Sequence, residues 1–231
     1  MILLKTCSVL ITLVMYGFSK KINQQKPGLL FSPIILTPLA LIGFLVITGL
    51  PYEEYAEGTS LLTEMLNVIT VAFAIPLYRN WSVLAANWRI ILFSLSFGSL
   101  VAVVAGVVTT YLLGLGGAAA LSVIPRSITT PIAVNVSQYI HGIPALTAVF
   151  VMLTSFAGVY LGPKIIKLFS IQHPLAIGMM YGMGAHALGT VEAFKTGEIA
   201  GACSSLSNII GAVVTVVWAF LMYPVVAAWM L

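Results

Sequence analysis

The residues with the most chemistry to offer stand where they are most expensive to keep. Within a long apolar stretch the chain reads Ile124-Pro125-Arg126-Ser127-Ile128-Thr129-Thr130-Pro131-Ile132-Ala133. A proline inside a helix removes a backbone hydrogen bond and costs about 3 kcal/mol. An arginine at the centre of a bilayer costs roughly 2.5–3.5 kcal/mol on the lenient insertion scale. Two prolines, one arginine and three hydroxyls fall within seven positions. Such a segment is tolerated in a membrane where it lines a cavity. Pro131 suits the first position of a new helix with Thr130 as its N-cap. The start of that half-helix would present free N–H groups and the positive end of its dipole. Together with Arg126 it makes a site for an anion, and a carboxylate is the simplest candidate. The competing reading is a kinked helix end with Arg126 snorkelling to lipid headgroups.

A second interruption runs Gly182-Met183-Gly184-Ala185-His186-Ala187-Leu188-Gly189-Thr190-Val191-Glu192. Its three glycines loosen a helix. His186 and Thr190 are four apart and share a face wherever the helix persists. His186 is able to bind an anion or relay a proton. Equally, it is able to bond a carbonyl while the glycines allow close helix contact. The glycine pattern follows no strand and opens no βαβ unit, so it is not a nucleotide loop. A third feature is a stripe of Gly201, Ser204, Asn208, Gly211 and Thr215, with Ser205 at its border. Spacings of 3, 4, 3 and 4 put the stripe on one helix face. Small and hydroxyl residues arranged this way serve tight helix packing first. Ser204 and Asn208 are candidates for polar contacts to a central cavity.

The elements that carry these residues follow from composition. Sixty per cent of the 231 residues are apolar and only 7% are charged, against about 25% charged in a soluble domain. The apolar runs are continuous, near 2–18, 29–50, 61–78, 90–113, 118–140, 143–163, 174–191 and 200–230. Barrel strands alternate instead, and runs of about 17–25 residues span hydrocarbon as helix. The expectation is an all-α, polytopic membrane bundle of about six to eight transmembrane segments. It is read as a single domain over 1–231, without a clear internal repeat, with broken or re-entrant helices near 118–140 and 174–191.

Charge orders the loops. The linker after the first run is basic (Lys20, Lys21, Lys26). The next is acidic (Glu53, Glu54, Glu57, Glu64), and the third is basic, with Arg79 and Arg89 beside Trp81 and Trp88. Positive residues mark the cytoplasmic side, so the linkers alternate in, out, in, and the N-terminus faces out. The basic loop with Lys164, Lys167 and His173 also belongs inside, which is met where the 118–140 run dips in and returns; the alternative is that the positive-inside bias fails at that loop. Lysines rather than a cleavage pattern follow the first run, which therefore reads as an uncleaved helix. The net charge of +4 thus reflects topology and not nucleic-acid binding, since no basic stripe with interleaved aromatics is present. Cys7 and Cys203 sit in apolar runs and imply neither a disulfide framework nor a zinc site. No HExxH, paired intramembrane acids or clustered histidines support an enzyme, and no cofactor or metal is expected.

The same segments carry a resemblance. Pro51-Tyr52-Glu53-Glu54-Tyr55-Ala56-Glu57-Gly58 is similar to a "PYxxYxxG" motif, and Val71 to Tyr78 to "VALAxPLY". Pro125 to Ala133 resembles "PKSVTTPIA", and Gly142 to Ala148 resembles "GIPSLTA". His186-Ala187-Leu188-Gly189-Thr190 resembles "HAIGT", and Gly201 to Leu206 resembles "GAxSSLA". Six motifs in order across nearly the whole chain resemble the LrgB/CidB family. That family includes bacterial antiholin-like proteins, YohK-type proteins and the plastid glycolate/glycerate transporter.

The resemblance implies two activities. One is an antiholin-like or holin-like auxiliary protein that modulates murein hydrolase activity and cell lysis with a small LrgA/CidA membrane partner. The other is a carrier of small monocarboxylates such as glycolate, glycerate or pyruvate, and the anion chemistry of Arg126 and Pro131 agrees with it. The expected location is the bacterial inner membrane, multi-pass, with assembly as a homo-oligomer an open alternative. Substrate contacts are expected from Arg126, Ser127, Thr129, Thr130, Pro131, His186, Gly189, Thr190, Ser204, Ser205 and Asn208. Two positions depart from the family pattern. Arg126 replaces a lysine and keeps the charge, whereas Glu192 stands where the family has an arginine, which bears on substrate choice and proton coupling.

Overall fold

A computed structural model describes residues 2–26 and 31–230; the opening of the 29–50 run lies partly outside them. The chain is all-α, and among the described residues there is no strand. It divides into two compact units, Met1–Ala72 and Phe73–Leu231.

In the first unit α1 (Ile2–Gln25) runs on through Lys20 and Lys21, so these lysines extend a helix and do not form a linker. Helix α2 (Pro33–Thr48) begins on a proline and ends at Gly49, whose φ of 67° is the left-handed C-terminal stop that favours glycine. The acidic stretch expected as a solvated loop is instead a helix, α3 (Tyr52–Gly58). Glu53 and Glu54 occupy its first turn, where negative charge meets the positive end of the helix dipole. Helix α4 (Ser60–Ala72) completes the unit. Thr12 ties α1 to α3 through a 2.7 Å hydrogen bond with Tyr55 Oη.

The second unit opens with two single-turn helices, α5 (Ala74–Arg79) and α6 (Trp81–Ala86), then the long α7 (Trp88–Leu112). Helix α8 (Gly117–Val123), a 3-10 turn (Ile124–Ser127) and α9 (Thr130–Tyr139) follow. The long helices α10 (Pro144–Leu168), α11 (Pro174–Thr196) and α12 (Glu198–Met230) complete it. Among the described residues, α7, α10 and α12 are long and apolar enough to cross a membrane, and α2 is a shorter apolar helix. Their outer faces carry exposed Phe93, Val101, Val149, Val213 and Phe220. In water such faces would be a liability. In lipid they are the natural surface.

Helices α8 and α9, with 7 and 10 residues, rise about 10 and 15 Å, well short of a hydrocarbon layer of about 30 Å. They fold as a broken pair. Thr147 Oγ1, at the start of α10, donates to the Ser122 carbonyl at 2.9 Å and shares a 2.7 Å hydrogen bond with Ser137 Oγ. The Ile143 N–H donates to Ser122 Oγ at 2.7 Å. The end of α9 therefore returns against the end of α8, and the break between them is packed by Ile124, Ile128, Val103 and Val151. Two bonds fasten α7 to α12: Ser99 Oγ with Thr215 Oγ1 at 2.7 Å, and Trp218 Nε1–H to the Ser96 carbonyl at 3.1 Å.

Candidate functional site

The first break forms because Pro125 leaves the helix path (φ −83°, ψ 15°) and Ile128 and Thr129 are extended. Helix α9 starts one residue earlier than the proline alone suggests. The Thr129 carbonyl accepts from the N–H groups of Ile132 and Ala133 at 3.0 and 2.9 Å. Thr129 is thus the cap residue, without a side-chain capping bond, Thr130 is the first helical residue, and Pro131 follows it.

Arg126 leaves this turn toward the gap between α7 and α10. Its Nη1 donates to Thr154 Oγ1 on α10 at 3.3 Å, and its Nη2 to the Ala102 carbonyl on α7 at 3.2 Å. Nε is buried and has no protein partner. It lies against Gly106, where an added Cβ would stand 3.1 Å from Nε and 3.2 Å from Val123 Cγ1. The absence of a side chain at 106 is what lets Nε come this close to α7. Among the described residues no acid forms an ion pair with Arg126. All six acidic residues of the chain are glutamates, at 53, 54, 57, 64, 192 and 198, and among the described residues the one ion pair is Lys195 with Glu192.

The guanidinium lines a cleft of about 300 Å³. Gly106, Thr109 and Thr110 of α7 with Leu113 at its C-cap form one wall, and Phe150, Leu153, Thr154 and Ala157 of α10 the other. Both sets follow the 3- and 4-residue spacing of one helix face. A cleft of this kind, mostly apolar with a few convergent polar groups, is the usual form of a small-molecule site. A fixed positive charge in low-dielectric surroundings gives it a strong preference for an anion.

The second break is at His186, whose φ of 50° and ψ of −130° interrupt α11. A non-glycine residue in that region costs about 1–3 kcal/mol and persists when the surroundings hold it there. One restraint is a 3.2 Å hydrogen bond from Nε2 to the carbonyl of Arg126. A carbonyl only accepts, so Nε2 carries the hydrogen, and in the neutral ring Nδ1 is then a bare lone pair. That atom is buried and has no protein partner. The two breaks thus meet: the ring of one holds the backbone of the other.

The remaining expected contacts are distributed differently. Ser127 is buried beneath the first break, Thr129 and Thr130 are half-buried, and Pro131 is exposed. None of the four is among the residues lining the Arg126 cleft. Gly189, Thr190, Ser204 and Ser205 are buried in the seam between α11 and α12. Thr190 Oγ1 donates to the His186 carbonyl at 3.1 Å and shares a 3.0 Å bond with Ser204 Oγ, while Ser205 Oγ donates to the Gly201 carbonyl at 3.0 Å. Asn208 is half-buried on α12. A Cβ at Gly182 would run into the Ser204 carbonyl and stand 2.8 Å from Ser207 Cβ, which explains the glycine. Glu192 lies away from the cleft, its carboxylate 2.6 Å from Lys195 Nζ. Sequence reading missed Gly106, Thr154 and the Ala102 carbonyl, which sit in unbroken apolar helices and become visible only when Arg126 reaches across to them.

A helical membrane protein with a charged residue at a broken, returning segment is the class these features define. The chain belongs to the LrgB-like family, whose model matches residues 12–225. It is 42% identical over 208 residues to the uncharacterized protein YwbG of Bacillus subtilis (strain 168), covering 90% of this chain and 92% of that one. It is 35% identical over 205 residues to an uncharacterized protein of Haemophilus influenzae, covering 88% and 89%. It is 33% identical over 210 residues to the antiholin-like protein LrgB of Bacillus mycoides, covering 90% and 91%. No solved structure matches the chain.

Proposed function

We propose that this protein is a carrier, not an enzyme, and moves small monocarboxylate anions across a bacterial inner membrane with Arg126 as the charge that receives them. The observation that carries this reading is a guanidinium held between α7 and α10, lining a cleft, with no carboxylate paired to it among the described residues. A cation inside a bundle takes an acid or backbone carbonyls as partners, and Arg126 has one carbonyl and, among the described residues, no acid. A cation without a countercharge is suited to a ligand that brings the opposite charge. Discontinuous helices around the site fit alternating access, in which irregular backbone lines the pathway.

The test is uptake of labelled glycolate, pyruvate and lactate into proteoliposomes, with and without a pH gradient and with a trapped-dye control. Saturable uptake that Arg126→Ala reduces at least a hundredfold, with no dye release, is the expected outcome. Uptake unaltered by Arg126→Ala would remove Arg126 from the pathway.

A second reading rests on the relatives named antiholin-like protein LrgB, 33% identical over 90% of this chain. In it the protein acts with an LrgA/CidA-type membrane partner on murein hydrolase activity and lysis. It predicts dye release or altered autolysis that depends on the partner and does not saturate with any carboxylate.

A further inference from the structure

The hydroxyl of Thr154 is committed differently from its neighbours in the cleft. Thr109 Oγ1 donates to the Ala105 carbonyl at 2.7 Å, and Thr110 Oγ1 to the Val107 carbonyl at 2.8 Å. Both have returned their hydrogen to their own helix, the usual behaviour of a helical threonine. Thr154 Oγ1 instead has Arg126 as its one hydrogen-bond partner among the described residues. An arginine only donates, so Thr154 accepts in that bond and keeps its own hydrogen to give. The residue lines the cleft, and it sits at the end of the guanidinium that spans from α7 to α10. We infer that Thr154 is a second substrate-binding residue of the cleft, donating its hydroxyl hydrogen to one carboxylate oxygen while Arg126 supplies the countercharge.

This inference rests on the carrier reading. It explains why the cleft would prefer a carboxylate to a spherical anion. Arg126 and Thr154 offer two donors side by side, and a carboxylate presents two acceptor oxygens in one plane. Thr154 also ties that preference to α10, so the selecting group and the charge it works with come from different elements. A ligand bound there bridges the broken segment and α10.

The experiment is half-saturating concentration and maximal rate for labelled glycolate, pyruvate and lactate in proteoliposomes carrying wild type, Thr154→Val, Thr154→Ser or Arg126→Ala. Thr154→Val keeps the shape and removes the hydroxyl. It should raise the half-saturating concentration about tenfold, the ratio that corresponds to about 1.4 kcal/mol, with the maximal rate within about twofold of wild type. Thr154→Ser keeps the donor and should restore the wild-type value to within about twofold. A Thr154→Val protein that saturates like wild type while Arg126→Ala abolishes uptake overturns the role of Thr154 and leaves the carrier reading standing. So does a Thr154→Ser protein as impaired as Thr154→Val, which would assign the effect to the methyl group's packing. Absence of saturable uptake in the wild type overturns both.

Discussion

The gap between α7 and α10 and the seam between α11 and α12 use polar residues in opposite ways. In the seam, Thr190, Ser204 and Ser205 all return their hydrogen bonds to protein atoms, and Gly182 brings two helix backbones close enough to leave no room for a side chain. Between α7 and α10 a single charged side chain reaches across. It takes one carbonyl and one hydroxyl and leaves its Nε without a protein partner. A membrane interface made of small residues is glue. One that holds a charge beside a cleft, without an acidic partner among the described residues, is a candidate binding site.

The contrast can be broken at the seam first, where the effect should be largest. Gly182→Val puts branched carbons into the Ser204 carbonyl, and overpacking of this kind costs about 1–3 kcal/mol or more. The purified protein should melt many degrees lower or fail to be recovered. A stable, active variant would show that α11 and α12 are not held at this spacing. Next is Gly106→Ala, whose methyl group must displace the Arg126 guanidinium by a few tenths of an ångström. A rise of about threefold to tenfold in the half-saturating concentration is expected, roughly 0.7–1.4 kcal/mol, with melting temperature preserved. Gly98→Ala on the same helix meets nothing within 4 Å and serves as the control. If the two glycine variants behave alike, the fit of Arg126 against α7 has no bearing on binding. The smallest effect should come from Ser204→Ala, which removes one partner of a buried hydroxyl pair and costs about 1 kcal/mol of stability. Uptake should not change. A loss of affinity there equal to that of Gly106→Ala would bring the seam into the substrate path and erase the distinction.

What could be read from the chain follows the same division. Residue types announce themselves when they violate local rules. The prolines at 125 and 131 and the glycines around His186 break long apolar runs, and the all-helical bundle with interruptions near 118–140 and 174–191 is legible from them. Arg126 stood out for the same reason. Its partners did not. Thr154 is one hydroxyl in a regular apolar helix, the Ala102 carbonyl has no sequence signature, and Gly106 is one of 20 glycines. They lie 28, 24 and 20 positions from Arg126, and only the seating of the 3-10 turn between α7 and α10 makes them neighbours. The acidic stretch at 52–58 misled in the other direction. Its charge reads as a loop, yet glutamates in a first turn also stabilise a helix start, and α3 is the result.

The bonds that surround Arg126 also impose an order on how this protein is made. Ala102 precedes Arg126 by 24 residues, Thr154 follows it by 28, and His186 by 60. As the chain leaves the ribosome, the arginine emerges with one carbonyl already waiting on α7. Its hydroxyl partner and the ring that holds its backbone do not yet exist. Until α10 and α11 are synthesised, a charge worth about 2.5–3.5 kcal/mol at the bilayer centre lacks most of its eventual coordination. The broken segment, translated in the middle of the second unit, can therefore complete its bonds only once α10 and α11 have joined the chain.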